Sequence, residues 1–301
     1  MRYRIAAILL IVLLLLAAAS CGKKTDPGEP IDPSEPGTTV VKPTDDPGNI
    51  ETKEDYLIVG YTDDAASFGY PSLMPGCLSW RYDNGALLAE ALAFGDVDTA
   101  VIPTNLACRY YTESGGKISV LGLSLSGDVW LMESSEDDML FADSIGPDML
   151  LGRTVYIPYE GGAEDVMTRI AADYSGLVAG STVLFEYLPY AELEEQVRSE
   201  SGSFAAVPEP IQEGFELGFS TSWVWQSSKG TDFCPMYCVA VNRERVSGEK
   251  LEALKELISV SGSFLTGESV LIDSATPFLR ACYRIDPLLI GGYMPDDGLY
   301  E

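Results

Sequence analysis

The stretch Leu87–Leu106, LLAEALAFGDVDTAVIPTNL, decides the fold class of this chain. Its first half repeats apolar residues at helical spacing, which predicts an amphipathic helix. Gly95 can end that helix in the left-handed conformation, and Thr99–Ile102 is a short apolar run with β-branched residues, typical of a buried strand. Pro103 ends the strand and Thr104 is the predicted cap of a second helix. Helix, turn, strand and helix in close succession indicate an α/β domain.

Part of this pattern of helix, turn and strand recurs further along the chain. Leu193 and Val197 mark one face of a predicted helix, and Phe204–Val207 is a predicted strand followed by Glu209 and Pro210. Two α/β units that each present a polar loop after a buried strand predict two lobes with parallel-rich sheets and a ligand cleft between them. We expect residues 56–126 and 236–301 to form the first lobe, and residues 127–235 the second lobe and the crossover segments.

The N-terminal residues predict an exported and anchored protein. Arg2 and Arg4 precede the apolar run Ile5–Leu16, and small residues lead directly to Cys21. This pattern resembles a bacterial lipoprotein signal at residues 1–20, with Cys21 lipidated; an ordinary secretory signal with an incidental cysteine is the alternative. Residues 21–55 are rich in proline and acids and lack apolar periodicity, which predicts a disordered tether.

Composition excludes several classes of function. The chain has 19 basic and 46 acidic residues, a formal net charge of −27, and no histidine. The charge disfavours nucleic acid, and the missing histidine excludes Ser-His-Asp and Cys-His catalysis and histidine metal sites. No cofactor or metal is expected. The cysteines after Cys21 form no C-x-x-C pair, so no disulfide framework is indicated, although a Cys234–Cys238 bond stays open.

Five segments together resemble a known family: LIVGY, LLAEALAFGDVDTAVIPTNLA, ISVLGLSL, LLGRTVYIPYEGG and FAAVPEP. Their order and spacing resemble the solute-binding proteins of ABC importers, in particular the branch that binds nitrate, sulfonates and thiamine precursors. The resemblance spans about Tyr56–Ile258, and Arg153 stands where lysine is more usual. The last forty residues match little of the family, which leaves a role in the cleft and a role in an oligomer contact open.

This resemblance implies a type II periplasmic-binding-protein fold, hinge closure on a small-molecule solute, and delivery to the subunits of a membrane permease. We also expect a monomeric, non-enzymatic protein, and the N-terminal residues predict that its lipid holds it outside the cytoplasm.

Loops that follow the strands of parallel α/β lobes face the cleft, and they supply the candidate ligand-binding residues. These are Thr62, Ser67, Phe68, Tyr82, Thr104, Asn105, Tyr159, Gly161, Gly162, Glu209 and Trp223. Each has a structural alternative: a solvated loop, a helix cap, a plain turn or, for the aromatic rings, core packing. Trp223 and Trp225 are predicted to share one face of a strand. The residue types leave an anion, an amine and a planar ring open as the solute.

Two other functions compete with a solute receptor. An enzyme on the same fold would use Glu209, Asp63 or Asp64 as acid or base, but no activated nucleophile is evident. An adaptor lipoprotein would pass a signal to a membrane partner without transport.

Overall fold

The computed structural model describes residues 56–63, 67, 69–133, 146–200, 202–208 and 217–301. The predicted signal, the tether and Cys21 lie outside these ranges, as do Phe68 and Glu209. Within these ranges, no helix combines the length and the apolar character needed to cross a bilayer.

Eleven strands and seven α-helices make up the described fold. The strands are β1 Ile58–Tyr61, β2 Leu78–Arg81, β3 Thr99–Pro103, β4 Ile118–Ser124, β5 Val129–Glu133, β6 Thr154–Ile157, β7 Leu184–Tyr187, β8 Phe204–Pro208, β9 Leu217–Ser220, β10 Tyr237–Asn242 and β11 Phe264–Leu265. The helices are α1 Gly85–Phe94, α2 Thr104–Ser114, α3 Ala163–Tyr174, α4 Tyr190–Ser199, α5 Thr221–Lys229, α6 Glu249–Ser261 and α7 Glu268–Ile285. Short 3-10 helices lie at Tyr70–Leu73, Pro147–Leu150, Pro287–Ile290 and Asp297–Leu299.

The strands form two sheets of related topology. The first sheet has the order β11-β4-β10-β3-β1-β2, in which β1 is parallel to β2 and β3, and β10 lies antiparallel between β3 and β4. The second has the order β7-β6-β8-β5-β9, in which β6 is parallel to β7 and β8, and β5 lies antiparallel between β8 and β9. The predicted α/β architecture with two parallel-rich sheets is confirmed.

The antiparallel strands mark where the chain crosses between the sheets. β4 belongs to the first sheet and β5 to the second, so residues 125–128 form one crossing. The chain returns from α5 to β10 through residues 230–236. Two peptide crossings join the halves, the connectivity that permits a hinge rotation between lobes.

Burial explains the apolar runs in the sequence. Every residue of β3, β4, β8 and β10 is buried, because these strands lie inside their sheets and helices pack against them. Gly95 ends α1 with φ 79°, as predicted, and its N–H bonds to the carbonyls of Ala91 and Leu92. The stretch that predicts the α/β pattern therefore forms the expected α1–β3–α2 unit.

Two predicted helix caps are wrong. Pro103 occupies the N-cap position of α2, and Thr104 is already helical and makes no capping bond. The serine at position 247 likewise predicts a cap for the helix that follows it, but Gly248 occupies the N-cap position of α6 and makes no side-chain bond.

The predicted strand at Ser222–Trp225 is also wrong, because these residues form the start of α5. Ser220 caps the helix: its Oγ accepts the Trp223 N–H at 3.0 Å. Helical spacing separates the two tryptophans, so Trp225 is 2% exposed whereas Trp223 is 58% exposed. A short apolar run carries too little periodicity to separate a strand from a helix.

The last forty residues form a structural element that joins the two halves. α7 packs against α2 and β4 on one side and against α3 on the other. Phe278 is fully buried and its ring meets Trp225 edge to face, with centroids 5.6 Å apart. Further along the chain, the Glu301 N–H donates to the Val120 carbonyl at 3.1 Å. The last forty residues, which match little of the family in sequence, therefore contribute to the core.

Candidate functional site

The loops after β2, β3 and β6 meet across the two halves of the fold. Asn105 Nδ2 donates a hydrogen bond to the Gly161 carbonyl at 2.9 Å. The Tyr159 hydroxyl donates to the Asp83 carbonyl at 3.4 Å. Both bonds join the first sheet's loops to the β6–α3 loop, so the structure brings Asn105, Tyr159 and Gly161 together as the sequence predicts for a cleft.

Asn105 occupies the corner between β3 and α2 and is 1% exposed. Its Nδ2 also lies 3.3 Å from the Leu289 carbonyl oxygen. Two carbonyl acceptors fix the orientation of the amide, because a flipped amide would set oxygen against oxygen. Asn105 Oδ1 then has no hydrogen-bond partner within the described part of the chain. A buried acceptor without a donor is costly, and it indicates a place for a ligand donor.

Thr104 contributes packing at this corner. Its side chain is fully buried, and its N–H donates to the Met236 carbonyl at 2.8 Å. Burial raises the pKa of the neighbouring Cys238 thiol to about 12, and the adjacent Thr104 hydroxyl reduces that rise; Thr104 Oγ1 makes no hydrogen bond within the described residues. The Thr104 hydroxyl therefore lies toward β10. Among the described residues, no side chain caps the first turn of α2.

The Cys238 thiol gives a pH-dependent prediction. Its pKa of about 12 in the folded chain exceeds the usual value of about 8.5 in an unfolded chain, so the folded state holds the proton more tightly. The contribution of this thiol to the free energy of unfolding is fully present below about pH 8.5. It falls by about 1.4 kcal/mol per pH unit as the pH rises from there toward 12. We expect Cys238→Ala to remove this contribution, so that the free energy of unfolding decreases less steeply with pH, by the slope that one proton accounts for. Urea unfolding midpoints from neutral to alkaline pH measure the difference. Parallel pH profiles for the variant and the parent would contradict the assignment.

The loop after β1 is held by its own side chains. Ser67 Oγ accepts the Thr62 N–H at 3.0 Å, and both residues are buried. Tyr82 follows β2 and is 6% exposed within the main core; burial raises the pKa of its hydroxyl to about 12. These three predicted residues have structural roles at the edge of the first sheet, and Trp223 lies exposed in the first turn of α5.

The β6–α3 loop combines an aromatic ring with a backbone that requires glycine. Gly161 has φ 76°, in the left-handed region, and its N–H donates to Asp165 Oδ2 at 2.8 Å. Gly162 precedes α3 in extended conformation. The Tyr159 ring packs edge to face on Tyr190, with centroids 5.6 Å apart. This loop presents the Gly161 carbonyl and the Tyr159 hydroxyl to the first sheet.

Sequence reasoning missed the acids at the start of α3. Asp165 is completely buried, and besides the Gly161 N–H it accepts from Arg169 Nε at 2.7 Å and from the Tyr187 hydroxyl at 3.1 Å. Glu164 is 6% exposed and accepts a hydrogen bond from the Tyr190 hydroxyl. The i, i+4 spacing of Asp165 and Arg169, together with acids in a first helical turn, was the available signal.

Another unforeseen carboxylate, that of Asp128, lies at the crossing between the sheets. Asp128 Oδ1 accepts the N–H groups of Val129 at 2.7 Å and Ser222 at 3.1 Å. Asp128 Oδ2 accepts from the Ser220 hydroxyl. One side chain thus ties the first crossing to the start of α5, which positions Trp223.

The described ranges contain neither a metal-binding cluster nor a disulfide bond. No group of three or more His, Cys, Asp or Glu residues there is arranged to hold a metal ion. The described cysteines all carry free thiols, so the open alternative of a Cys234–Cys238 disulfide is wrong.

Solved structures share this architecture. An ABC transporter protein from Parabacteroides distasonis is similar over 82% of this chain and 98% of its own, with a TM-score of 0.61 and 14% identity. The chain has the fold of ABC-transporter solute-binding proteins. The alkanesulfonate-binding protein SsuA from Xanthomonas axonopodis pv. citri, solved with MOPS, is similar over 78% of this chain and 81% of its own, with a TM-score of 0.52 and 12% identity. No family model matches the sequence, and no curated protein does. At these identities the likeness establishes the fold alone.

Proposed function

We propose that this protein is the lipid-anchored, extracytoplasmic solute-binding component of an ABC importer. The observation that carries the proposal is the pair of sheets joined by two crossings, with polar loops from both halves meeting at Asn105 and Gly161. Neighbours of the same fold include a protein that binds alkanesulfonates. The predicted lipoprotein signal, Cys21 and tether supply the anchor in this proposal.

Hinge closure explains how such a fold would capture a solute. The two crossings allow the lobes to rotate, and the Asn105–Gly161 and Tyr159–Asp83 bonds form only when the loops approach. A solute bound between the loops would stabilise the closed form by its differential affinity for that form. The permease subunits would then receive the closed, monomeric complex.

The proposed binding residues fall into three groups. Asn105, Tyr159, Gly161 and Gly162 lie at the lobe contact and are the core of the site. Thr62, Ser67, Tyr82, Thr104 and Trp223 are proposed as further residues that line the site. Phe68 and Glu209 are proposed from sequence alone.

Native mass spectrometry of the exported protein tests the proposal. We expect a small molecule to leave on unfolding, and its return to the refolded protein to contract the radius of gyration in solution scattering. Chemical turnover of the released molecule, or binding without contraction, would contradict a hinge-closing receptor. Cys21→Ser should release the protein from the membrane fraction, and continued retention would contradict the lipid anchor.

A further inference from the structure

Six segments that follow strands β1–β4, β6 and β7 contain acids and no bases. Within the described residues these segments are 62–63 after β1, 82–84 after β2, 104–105 after β3, 125–128 after β4, 158–162 after β6 and 188–189 after β7. Their acids are Asp63, Asp83, Asp128 and Glu160, and none of these segments contains Lys or Arg. The adjacent Arg81 ends β2, and its guanidinium is paired with Asp63. An anionic solute would meet no unpaired cation in these segments.

The start of α3 adds negative charge at the lobe contact. Helix N-termini ordinarily favour an anion, but Glu164 and Asp165 already occupy the first turn of this helix. Arg169 balances the charge of Asp165, so the negative charge added at the contact is that of Glu164. The pKa of the Tyr159 hydroxyl is raised, mainly by burial. A hydrogen bond with Asn84 lowers this pKa, and the negative charges of Glu164 and Asp83 raise it further. The Tyr159 side of the contact therefore favours positive charge.

Asn105 provides an independent observation. Its Oδ1 atom lacks a donor among the described residues although the residue is 1% exposed, and its Nδ2 already bonds across the lobe contact to Gly161. A ligand held between the lobes at this contact would satisfy Asn105 Oδ1 only by donating a hydrogen bond to it. The nearby edge-to-face pair of Tyr159 and Tyr190 offers aromatic surface, which attracts a cation through its π face.

Building on the proposed receptor function, we propose that the solute is an organic cation carrying an amine or amidinium group. Its N–H groups donate to Asn105 Oδ1, and its charge is balanced by Glu164 and Asp83. Its body packs beside the tyrosine pair. Selectivity against anions follows from the acids, because a sulfonate or carboxylate would meet like charge in a water-poor contact.

A panel of compounds with one ring and different charges tests this inference on the full chain. Benzamidine and benzylamine carry the cation, benzyl alcohol is neutral, and benzoate and benzenesulfonate are anions. At millimolar concentration we expect the two cations to raise the melting temperature, and the other three compounds to leave it unchanged. Stabilisation by benzoate or benzenesulfonate, or no effect of any of the five compounds, would overturn the inference.

A charge-removing variant locates the site. Glu164→Gln keeps the shape of the side chain and removes its charge, and we expect benzamidine to bind at least roughly tenfold more weakly by calorimetry. Glu195→Gln makes the same change on the exposed face of α4 and should leave the affinity unchanged. Equal affinities of both variants and the parent would remove Glu164 from the site.

Failure of this inference is distinguishable from failure of the receptor function. An anion that binds and contracts the protein in scattering would preserve the receptor and overturn the cationic solute. A released cation that is chemically converted would preserve the charge inference and overturn the receptor.

Discussion

Asp165→Ala is expected to lower the free energy of unfolding by about 3 kcal/mol and to abolish solute binding. The carboxylate is completely buried and joins three groups: the Gly161 N–H, the Arg169 guanidinium and the Tyr187 hydroxyl. Its removal leaves Arg169, whose side chain is 19% exposed, without its carboxylate. We place the loss at the low end of the range for broken buried pairs because Arg169 keeps a 2.9 Å bond to Tyr187.

Binding should fail because the same carboxylate holds the β6–α3 loop. Without it, the left-handed Gly161 has no acceptor for its N–H and the loop no longer presents its carbonyl to Asn105. Urea unfolding measures the stability, and calorimetry with the solute released in native mass spectrometry measures binding.

Asp173→Ala is the matched control for this prediction. Asp173 lies in the same helix and pairs with Arg284, but the two side chains are 44% and 64% exposed. Its loss should cost no more than about 1 kcal/mol, because solvent screens exposed pairs. Equal destabilisation by the two variants would show that burial of the Asp165 network does not stabilise the fold.

Phe278→Ala is expected to cost about 4 kcal/mol, the cost of removing a large ring from a packed core. Phe278 lies in α7, is fully buried and packs edge to face on Trp225 of α5. For a chain of this size that loss corresponds to a fall of roughly 10 °C in melting temperature. Thermal unfolding followed by near-ultraviolet circular dichroism measures both stability and the environment of Trp225.

Two further substitutions separate packing from a general effect on α7. Phe278→Leu keeps an apolar side chain and should cost about 1.5 kcal/mol. Val270→Ala lies on the same helix at a side chain that is 41% exposed, and should cost under about 0.5 kcal/mol. If Phe278→Ala behaved like Val270→Ala, α7 would be a peripheral addition and not part of the shared core.

The sequence predicted the fold wherever the decisive interactions are local. Helical spacing, Gly95 and the β-branched run at Thr99–Ile102 each act within a few residues, and the α1–β3–α2 unit formed as expected. The candidate site was partly predicted for the same reason. Loops after parallel strands share one edge of a sheet, so Asn105, Tyr159 and Gly161 could be assigned to a cleft from strand order alone.

Local patterns failed where a distant residue selects the conformation. Trp223 and Trp225 fit a strand face in the sequence, yet Trp225 packs against Phe278 of α7 from a helix. Thr104 has the chemistry of a cap, but β10 lies beside it and its hydroxyl faces Cys238. In each case the partner lies in another element, and single-sequence periodicity carries no information about it.

By itself the sequence determined an α/β chain with two parallel-rich sheets, because strand and helix periodicity depend on residues that are close together in the chain and the order of elements follows from them. Only the tertiary structure decided how α7 joins the halves, how Asp165 holds the Gly161 loop, and which atom of Asn105 lacks a partner. The reason is physical: hydrogen-bond saturation and burial depend on groups far apart in the chain, whose meeting costs loop-closure entropy and leaves no local signature.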